Sequence, residues 1–313
     1  MTGYIFRRVL QLIPILFGVT LINFGLMYIS PGDAAERTLI ADGARVSAEV
    51  LEARRAELGL NRPFAVQYFH WLKNLARGDL GESYATGRPV WAVLSESLPN
   101  TVLLAGSAML LTILISIPLG LLAAVRQNTA VDNILRAGSF MGLSMPSFVL
   151  ALVLIYVFGL KLKLLPVVGG TGLKGLILPS VTLAAALTSG FVRQVRAAVL
   201  EELGRGYVLG ARARGVKERY ILYFNVLKNA LLPIVTLIGI SFGRLLGGTA
   251  VVEIIFMWPG LGRMAVEAIS QRDYPVVQGY VMWMAAIFVA VNLVADISYR
   301  LLNPRVRYAD EAA

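Results

Sequence analysis

Long apolar runs are the dominant pattern of this chain. Stretches without a charged residue cover positions 9–32, 101–125, 137–160, 175–192 and 274–295. Each is close to or longer than the ~18 to 20 residues with which a helix crosses the hydrocarbon core of a bilayer. A further run, from about 231 to 257, is interrupted by Arg244 and Glu253. The pattern predicts an all-α, polytopic membrane protein with six transmembrane helices.

Composition supports the same class of protein. Hydrophobic residues make up 57% of the chain and charged residues 15%, and the mean hydropathy is +0.69. A globular protein carries about 25% charged residues. The first apolar run is also longer than the ~7 to 15 residues of a signal-peptide core, so we expect it to be a retained helix.

The distribution of basic residues predicts the orientation in the membrane. Fifteen of the 29 lysines and arginines flank one side of the predicted spans, among them Arg7, Arg126 and Arg305. The short loops of the other side hold five. Because positive residues are retained in the cytoplasm, both termini are expected there. In a soluble protein a net charge of +10 would suggest binding to nucleic acid. Here the retention of basic residues in the cytoplasm explains the charge, and no nucleic-acid partner is expected.

Segment 33–98 is expected on the outer face as a small helical subdomain. Ser47 is placed to cap a short helix that ends at Gly59, and a second helix follows the turn at Pro63. Trp71, Tyr84 and Trp91 are interpreted as anchors at the membrane interface. Aromatic rings with a polar group favour the depth of the lipid headgroups.

Several kinds of active site are excluded by the residues the chain lacks. It has no cysteine and one histidine, His70, so it cannot build a soft-ligand metal site. No G-x-x-x-x-G-K-[ST] run is present to cradle nucleotide phosphates. We therefore expect no catalytic residue, no metal and no bound cofactor in this chain, and any ATP and Mg would be used by a partner subunit.

A charged loop at about 200–230 separates two of the apolar runs. Gly215 divides it into two short helical pieces. Five charges lie within eight positions, namely Arg212, Arg214, Lys217, Glu218 and Arg219.

Further short motifs occur in a fixed order along the whole chain. They are Pro31-Gly32-Asp33, Leu58-Gly59-Leu60, Gly78-Asp79-Leu80-Gly81, Thr86-Gly87-Arg88-Pro89, Met145-Pro146-Ser147-Phe148, Trp258-Pro259-Gly260, Arg272-Asp273-Tyr274-Pro275 and Asn303-Pro304-Arg305. With these motifs and the charged loop, the sequence resembles the transmembrane permease subunits of ATP-binding-cassette (ABC) importers, in the peptide and nickel branch.

The resemblance implies a type I importer permease fold in the bacterial cytoplasmic (inner) membrane. Its organisation would be a first helix at 1–32, an outer subdomain at 33–98, a core of five helices at 99–302 and a cytoplasmic tail at 303–313. The implied partners are a second homologous permease, two cytoplasmic ABC ATPases, an outer solute-binding protein that segment 33–98 helps to receive, and the lipid bilayer.

The resemblance also assigns the charged loop to coupling with an ATPase. In this assignment Ala211 and Ala213 allow close approach, and the arginines favour an acidic cleft. The alternative is a solvated basic loop that only obeys the positive-inside rule. The residues assigned to coupling are Tyr207, Ala211, Arg212, Ala213, Arg214, Gly215, Val216 and Asn229.

Four residues are candidates for the translocation pathway: Arg244, Glu253, Met145 and Pro146. A guanidinium inside a span costs a few kcal/mol, so Arg244 should face protein, water or an anion. The alternative is an ion pair with Glu253. A pathway arginine favours a zwitterionic or anionic cargo and repels a bare divalent cation.

Short peptides are therefore the expected cargo, with nickel or a nickel chelate as the alternative. Two other classes stay open. A secondary transporter would run on an ion gradient and usually carries several acids inside its spans. A passive channel or scaffold would work without ATP.

Overall fold

The computed structural model describes residues 2–29, 35–36, 39, 47–167 and 172–302, and its side-chain contacts exclude 2–9, 11–13, 248 and 295–302. In this described part the chain is helical, with one isolated β-bridge between Glu82 and Pro89. The α-helices are α1 Thr2–Ile29, α2 Ala48–Glu57, α3 Phe64–Leu75, α4 Val90–Val125, α5 Ala130–Ser144, α6 Ser147–Leu154, α7 Leu173–Leu203, α8 Gly206–Ala213, α9 Glu218–Tyr220, α10 Leu227–Gly248, α11 Ala250–Ile255, α12 Leu261–Gln271 and α13 Tyr274–Leu302. Two π-helical turns, Ile155–Lys161 and Ile221–Val226, continue α6 and precede α10.

Several of these helices are long and apolar enough to cross a membrane. Within the described residues there are four such segments, Val90–Val125, Leu173–Leu203, Glu218–Gly247 and Tyr274–Val294, and up to five if the bent pair Ala130–Ser144 and Ser147–Lys161 counts as one span. Pro14–Ile29 is a shorter apolar helix. The sixth span and the side on which the termini lie remain predictions, and the tail at 303–313 lies outside the described residues.

The apolar run at 137–160, predicted to form one span, is divided by a sharp bend. The helices on either side of Met145 and Pro146 are bent by 98°. Proline has no backbone N–H and disfavours helical geometry in the residue before it. Met145 is accordingly extended, with φ −83° and ψ 120°. The break is therefore encoded at the Met145-Pro146 step.

The run predicted at about 231–257 is also divided differently. The apolar span begins earlier, at Glu218, and ends at Gly247. A separate short helix, α11, follows Thr249. Glu253 lies on that second helix and so does not share a continuous span with Arg244.

The chain forms two compact units, the first made of Met1–Thr101 and Pro259–Val289 and the second of Val102–Trp258 and Ala290–Ala313. A core of six buried side chains holds the first unit together: Val90, Leu94, Leu261, Ala268, Val276 and Val277. Gly279 belongs to this core, because a Cβ there would lie 2.6 Å from Val90 Cγ1. Residues from α4, α12 and α13 thus share one apolar core.

The first unit also contains the predicted outer helices. Helix α2 begins at Ser47, whose Oγ accepts the Val50 N–H at 3.3 Å, and the chain turns after it at Gly59 with φ +70°. Helix α3 packs on α1 through aromatic side chains, with Phe24 5.4 Å from Tyr68 between ring centroids. The predicted capped helix and the helix after Pro63 are confirmed.

The three aromatic side chains interpreted as interface anchors behave differently. Trp71 packs with Phe24 and Tyr68, and Tyr84 is largely buried. Only Trp91 is exposed among the three, at 56%, and its ring lies 4.8 Å from that of Trp283. Trp71 and Tyr84 thus belong to packed clusters within the first unit, and the depth of all three rings in the membrane stays a prediction.

The second unit is built around α7. Asp132 of α5 is fully buried and accepts two hydrogen bonds from Arg196 of α7, each 2.7 Å long. Ser107 of α4 and Ser180 of α7 share a 2.6 Å hydrogen bond. At Gly120 the α4 backbone comes so close to α7 that an added Cβ would lie 2.6 Å from Val195 Cβ and 3.0 Å from the Val192 carbonyl oxygen.

Replacement of Gly120 by alanine should therefore destabilise the second unit. We expect Gly120→Ala to reduce the free energy of unfolding by about 1–3 kcal/mol, the usual cost of an overpacked contact. Gly106→Ala on the same helix is the matched control, because nothing lies within 4 Å of its added Cβ. The midpoints of thermal unfolding in detergent measure the difference, and equal midpoints for both variants would contradict the close contact.

Candidate functional site

The charged loop between α7 and α10 forms a helix, a turn and a second short helix. Gly215 adopts φ +75° at the turn, a conformation that glycine reaches without steric cost. The Gly215 N–H donates to Arg212 O at 2.9 Å, and the Val216 N–H donates to Ala211 O at 3.2 Å. These bonds end α8 and redirect the chain into α9. The predicted break at Gly215 is confirmed.

An ion pair links the two pieces of this loop. Arg212 donates to both carboxylate oxygens of Glu218, at 3.1 and 2.5 Å. This hydrogen bonding raises the pKa of the Arg212 guanidinium. Arg212 is thus occupied within the chain, whereas the side chains of Arg214, Lys217 and Arg219 are exposed and carry the basic surface.

Tyr207 and Asn229, predicted together for coupling, are in contact. The Tyr207 hydroxyl donates to Glu202 at 2.7 Å and accepts a longer 3.4 Å bond from Asn229. Burial is the largest cause of the raised pKa of Tyr207, although 37% of the residue remains exposed. The tyrosine therefore connects α8 with both flanking helices and still reaches the surface.

The expected role of Ala211 needs correction. Ala211 is only 3% exposed and, together with Val208, faces the interior of the unit. It cannot offer a close approach to a partner, whereas Ala213 is exposed and can. Apolar surface that the sequence did not single out lies nearby instead, at Leu209, Tyr220, Tyr223 and Phe224, which are all more than half exposed.

The pathway candidates occupy three different settings in the second unit. Arg244 is an exposed residue of α10, and no ion pair or hydrogen bond joins it to another residue of the described chain. Glu253 is fully buried and accepts a 2.8 Å hydrogen bond from Thr249. The alternative of an Arg244–Glu253 ion pair is therefore not realised. Met145 is 44% exposed and Pro146 follows it at the bend.

Two distant motifs meet on a buried carboxylate in the first unit, which the sequence did not predict. Asp273 is 3% exposed and accepts hydrogen bonds from Ser83 Oγ at 2.5 Å and from the Tyr84 and Ala85 N–H groups at 3.0 and 3.4 Å. Ser83 Oγ in turn accepts the Thr86 N–H at 3.0 Å. We call residues 83–86 and Asp273 the Asp273 clasp.

The surroundings of Tyr84 within the clasp change the pKa of its hydroxyl. Burial, reinforced by the negative charge of Asp273, raises the pKa of Tyr84 to about 12. The clasp joins the segment between Gly81 and Gly87 to Asp273. Gly81 and Gly87 adopt φ +79° and +65°, so they supply the turns that bring Ser83 to the carboxylate.

No group of three or more histidine, aspartate or glutamate side chains in the described ranges is arranged to hold a metal ion. His70 is exposed on α3. The predictions of no metal site and no catalytic residue stay predictions.

Known proteins resemble this chain along its whole length. The family described as binding-protein-dependent transport system inner membrane component matches residues 116–308, and its N-terminal companion matches residues 1–105. The glutathione transport system permease protein GsiC of Escherichia coli is 39% identical over 308 residues, which cover 98% of this chain and 100% of the relative. The protein of the same name from Shigella boydii is 38% identical with the same coverage.

Solved structures agree on the fold. An inward-facing structure of the MetNI methionine ABC transporter contains a chain that aligns with a TM-score of 0.56 and 20% identity. The alignment covers 68% of this chain and 97% of that chain. At this identity the likeness concerns the fold alone, which is that of an ABC importer permease.

The Asp273 clasp makes a testable prediction. Asp273→Ala leaves three donors without their acceptor, and each buried unpaired group costs about 1–3 kcal/mol. We expect segment 83–86 to open and chymotrypsin to cleave after Tyr84 much faster than in the unaltered chain. Glu267→Ala is the control, because it removes only a surface ion pair with Arg263. Equal cleavage rates in both variants would show that the carboxylate does not hold the segment.

Proposed function

This chain belongs to the family of binding-protein-dependent transport system inner membrane components, and on that premise we propose that it forms part of the translocation pathway for short peptides. Proteins of this family are permease subunits of ABC importers in the inner membrane, not enzymes. Family membership also implies ATPase and substrate-binding partners.

The proposed assembly has one copy of this chain, a second homologous permease, two cytoplasmic ATPases and an outer solute-binding protein. ATP and Mg would be used by the ATPases, because this sequence has no phosphate-binding loop. Six spans with both termini in the cytoplasm place the α8–α9 loop on the ATPase side. The outer subdomain would then face the solute-binding protein.

The observation that carries the proposal is the geometry of the α8–α9 loop. It lies between two candidate spans, Leu173–Leu203 and Glu218–Gly247. Its hydrogen bonds, its ion pair and the Tyr207 contacts hold the loop in one conformation. The exposed surface of the loop combines basic and apolar side chains. A rigid loop can transmit a movement of the ATPases to the spans on both sides, whereas a flexible linker would not.

Peptide cargo is supported by the relatives and by one side chain. Relatives with 39% identity are named for transport of glutathione, which is a short peptide with free carboxylates. Arg244 presents an exposed guanidinium on a membrane-spanning helix, where an anionic group would be attracted strongly. Nickel, the alternative from the sequence, receives no support from these relatives.

Uptake into proteoliposomes tests coupling. The assembled importer should take up peptide only with ATP, and Gly215→Val should lower this uptake by at least tenfold while membrane insertion and assembly persist. A β-branched residue resists φ > 0, and left-handed geometry costs roughly 1–2 kcal/mol for a residue with a side chain. Gly206→Val is the control, because it adds the same bulk to the same loop in open space and without positive φ.

Two outcomes of the uptake measurement would count against this account. Full uptake by Gly215→Val would identify the loop as an ordinary linker. Uptake that follows an ion gradient, or proceeds without ATP, would favour a secondary transporter or a passive channel.

Arg244 provides a test of the cargo class. We expect Arg244→Ala to reduce uptake of a peptide with a free C-terminal carboxylate by roughly tenfold or more, whereas the C-terminally amidated peptide should lose much less. Arg244→Lys should keep part of the activity, because it retains the charge. Assembly yield and basal ATP hydrolysis control for damage to the complex. Equal losses for both peptides would contradict recognition of a carboxylate.

A further inference from the structure

Two arginines of the second unit have no carboxylate partner among the described residues. Arg193 lies on α7, three residues from Arg196, and Arg136 lies on α5, four residues from Asp132. No ion pair joins either of them to another side chain in the described ranges. Arg193 Nε is buried and has no hydrogen-bond partner there. These positions differ from Arg196, which is fully engaged.

The nearby acid, Asp132, forms its side-chain hydrogen bonds with Arg196, and Arg136 acts on it through charge alone. Asp132 is completely buried, and both of its carboxylate oxygens accept hydrogen bonds from Arg196, while one also accepts the Asn128 N–H at 3.0 Å. A carboxylate held in this way has no exposed oxygen to offer to a further guanidinium. The charge of Arg136 and Arg193 therefore remains available to an anion from outside the chain.

The packing of α5 on α7 brings the two arginines to one place. Asp132 contacts Arg196, and a Cβ on Gly142 would lie 2.2 Å from Ser189 Oγ, so the two helices run antiparallel. Between these points the Arg193 guanidinium carbon lies 5.2 Å from the centre of the Phe140 ring. Arg136 precedes Phe140 by four residues, which places both on the same face of α5.

Apolar surface continues from these arginines along α5. Four side chains there are more than half exposed: Ile134, Phe140, Met141 and Leu143. Arg136 and Arg193 directly adjoin the uncharged runs 137–160 and 175–192. A cationic pair beside an exposed apolar face matches the phosphate and the acyl chains of an anionic lipid. The phosphate can receive the guanidinium hydrogen bonds, and the acyl chains can cover the apolar side chains.

We propose that Arg136, Arg193 and Phe140 form a binding site for an anionic phospholipid of the phosphatidylglycerol type. We call these three residues the α5–α7 lipid site. Because α5 begins just after Arg126 and α7 ends just before the charged loop, the orientation in the proposed function assigns the site to the inner leaflet. The site itself requires neither peptide nor ATP. A bound lipid would stabilise the contact of α5 with α7 just before the bend at Met145-Pro146.

Native mass spectrometry of the purified, assembled importer tests this site. The sample is equilibrated with phosphatidylglycerol and phosphatidylcholine that carry identical acyl chains. The unaltered protein should retain phosphatidylglycerol in clear preference. Each Arg→Gln change at Arg136 or Arg193 should reduce that preference by about fivefold, since a lysine or arginine near the surface contributes ~1 kcal/mol. Lysine at both positions should restore most of it.

The control removes the same number of charges elsewhere. Arg62→Gln with Arg77→Gln alters two exposed arginines of the outer subdomain and should leave the preference unchanged. Equal retention of both lipids by the unaltered protein would overturn the proposal. An equal loss of preference in this control and in the variant with both Arg136→Gln and Arg193→Gln would also overturn it. In a further outcome the unaltered importer shows no lipid preference while the Arg136 and Arg193 variants copurify with less of the second permease. That result would identify the three residues as a subunit interface and would also overturn the proposal.

The measurement is independent of transport. Lipid retention uses no peptide, nucleotide or uptake. If the importer did not transport peptides, the lipid measurement would keep its meaning. If the lipid preference were absent, the test of ATP-dependent uptake would be unaffected.

Discussion

Hydrocarbon offers no hydrogen-bond partner to a peptide backbone, and this constraint determines the form of the chain. Each N–H and C=O in a lipid-exposed segment must be paired within that segment, so helices are the solution available to a single chain with apolar runs of this length. The candidate spans from Val90–Val125 to Tyr274–Val294 follow directly. A helix break or a charged side chain inside such a span costs free energy. In this chain both occur where the proposed function would use them. The break at Met145-Pro146 and the exposed guanidinium of Arg244 are the two clearest cases.

Local features could be predicted from the sequence because their causes are local. Ser47 caps a helix with its own side chain, Gly215 turns the chain because it has no Cβ, and Pro146 breaks a helix because it has no N–H. The Ser47 cap and the turn at Gly215 were predicted and are confirmed, whereas Pro146 breaks a run that was predicted to form one span. The 98° angle of the bend was not predictable, since a proline determines where a helix ends and not the direction in which the next helix leaves.

Contacts between distant residues could not be read in the same way. Ser83 and Asp273 are separated by 190 positions, and only the folded first unit shows that the carboxylate holds the turn. Ala211 was assigned to a partner surface because of its small size, but a small residue fits an internal helix contact equally well, and the fold uses it there. The failed Arg244–Glu253 pair has a similar cause. Helix α10 ends between the two residues, and the Glu253 carboxylate accepts a hydrogen bond from Thr249 instead.

Thiol labelling tests the proposed contact of the α8–α9 loop with an ATPase most directly, because the sequence has no cysteine. Ala213→Cys places one thiol on the exposed side of α8. A membrane-impermeant maleimide should label it readily in the permease alone and at least tenfold more slowly once the ATPases are assembled. Glu57→Cys in the outer subdomain should label at the same rate in both samples. Equal labelling of Ala213→Cys with and without the ATPases would contradict the account.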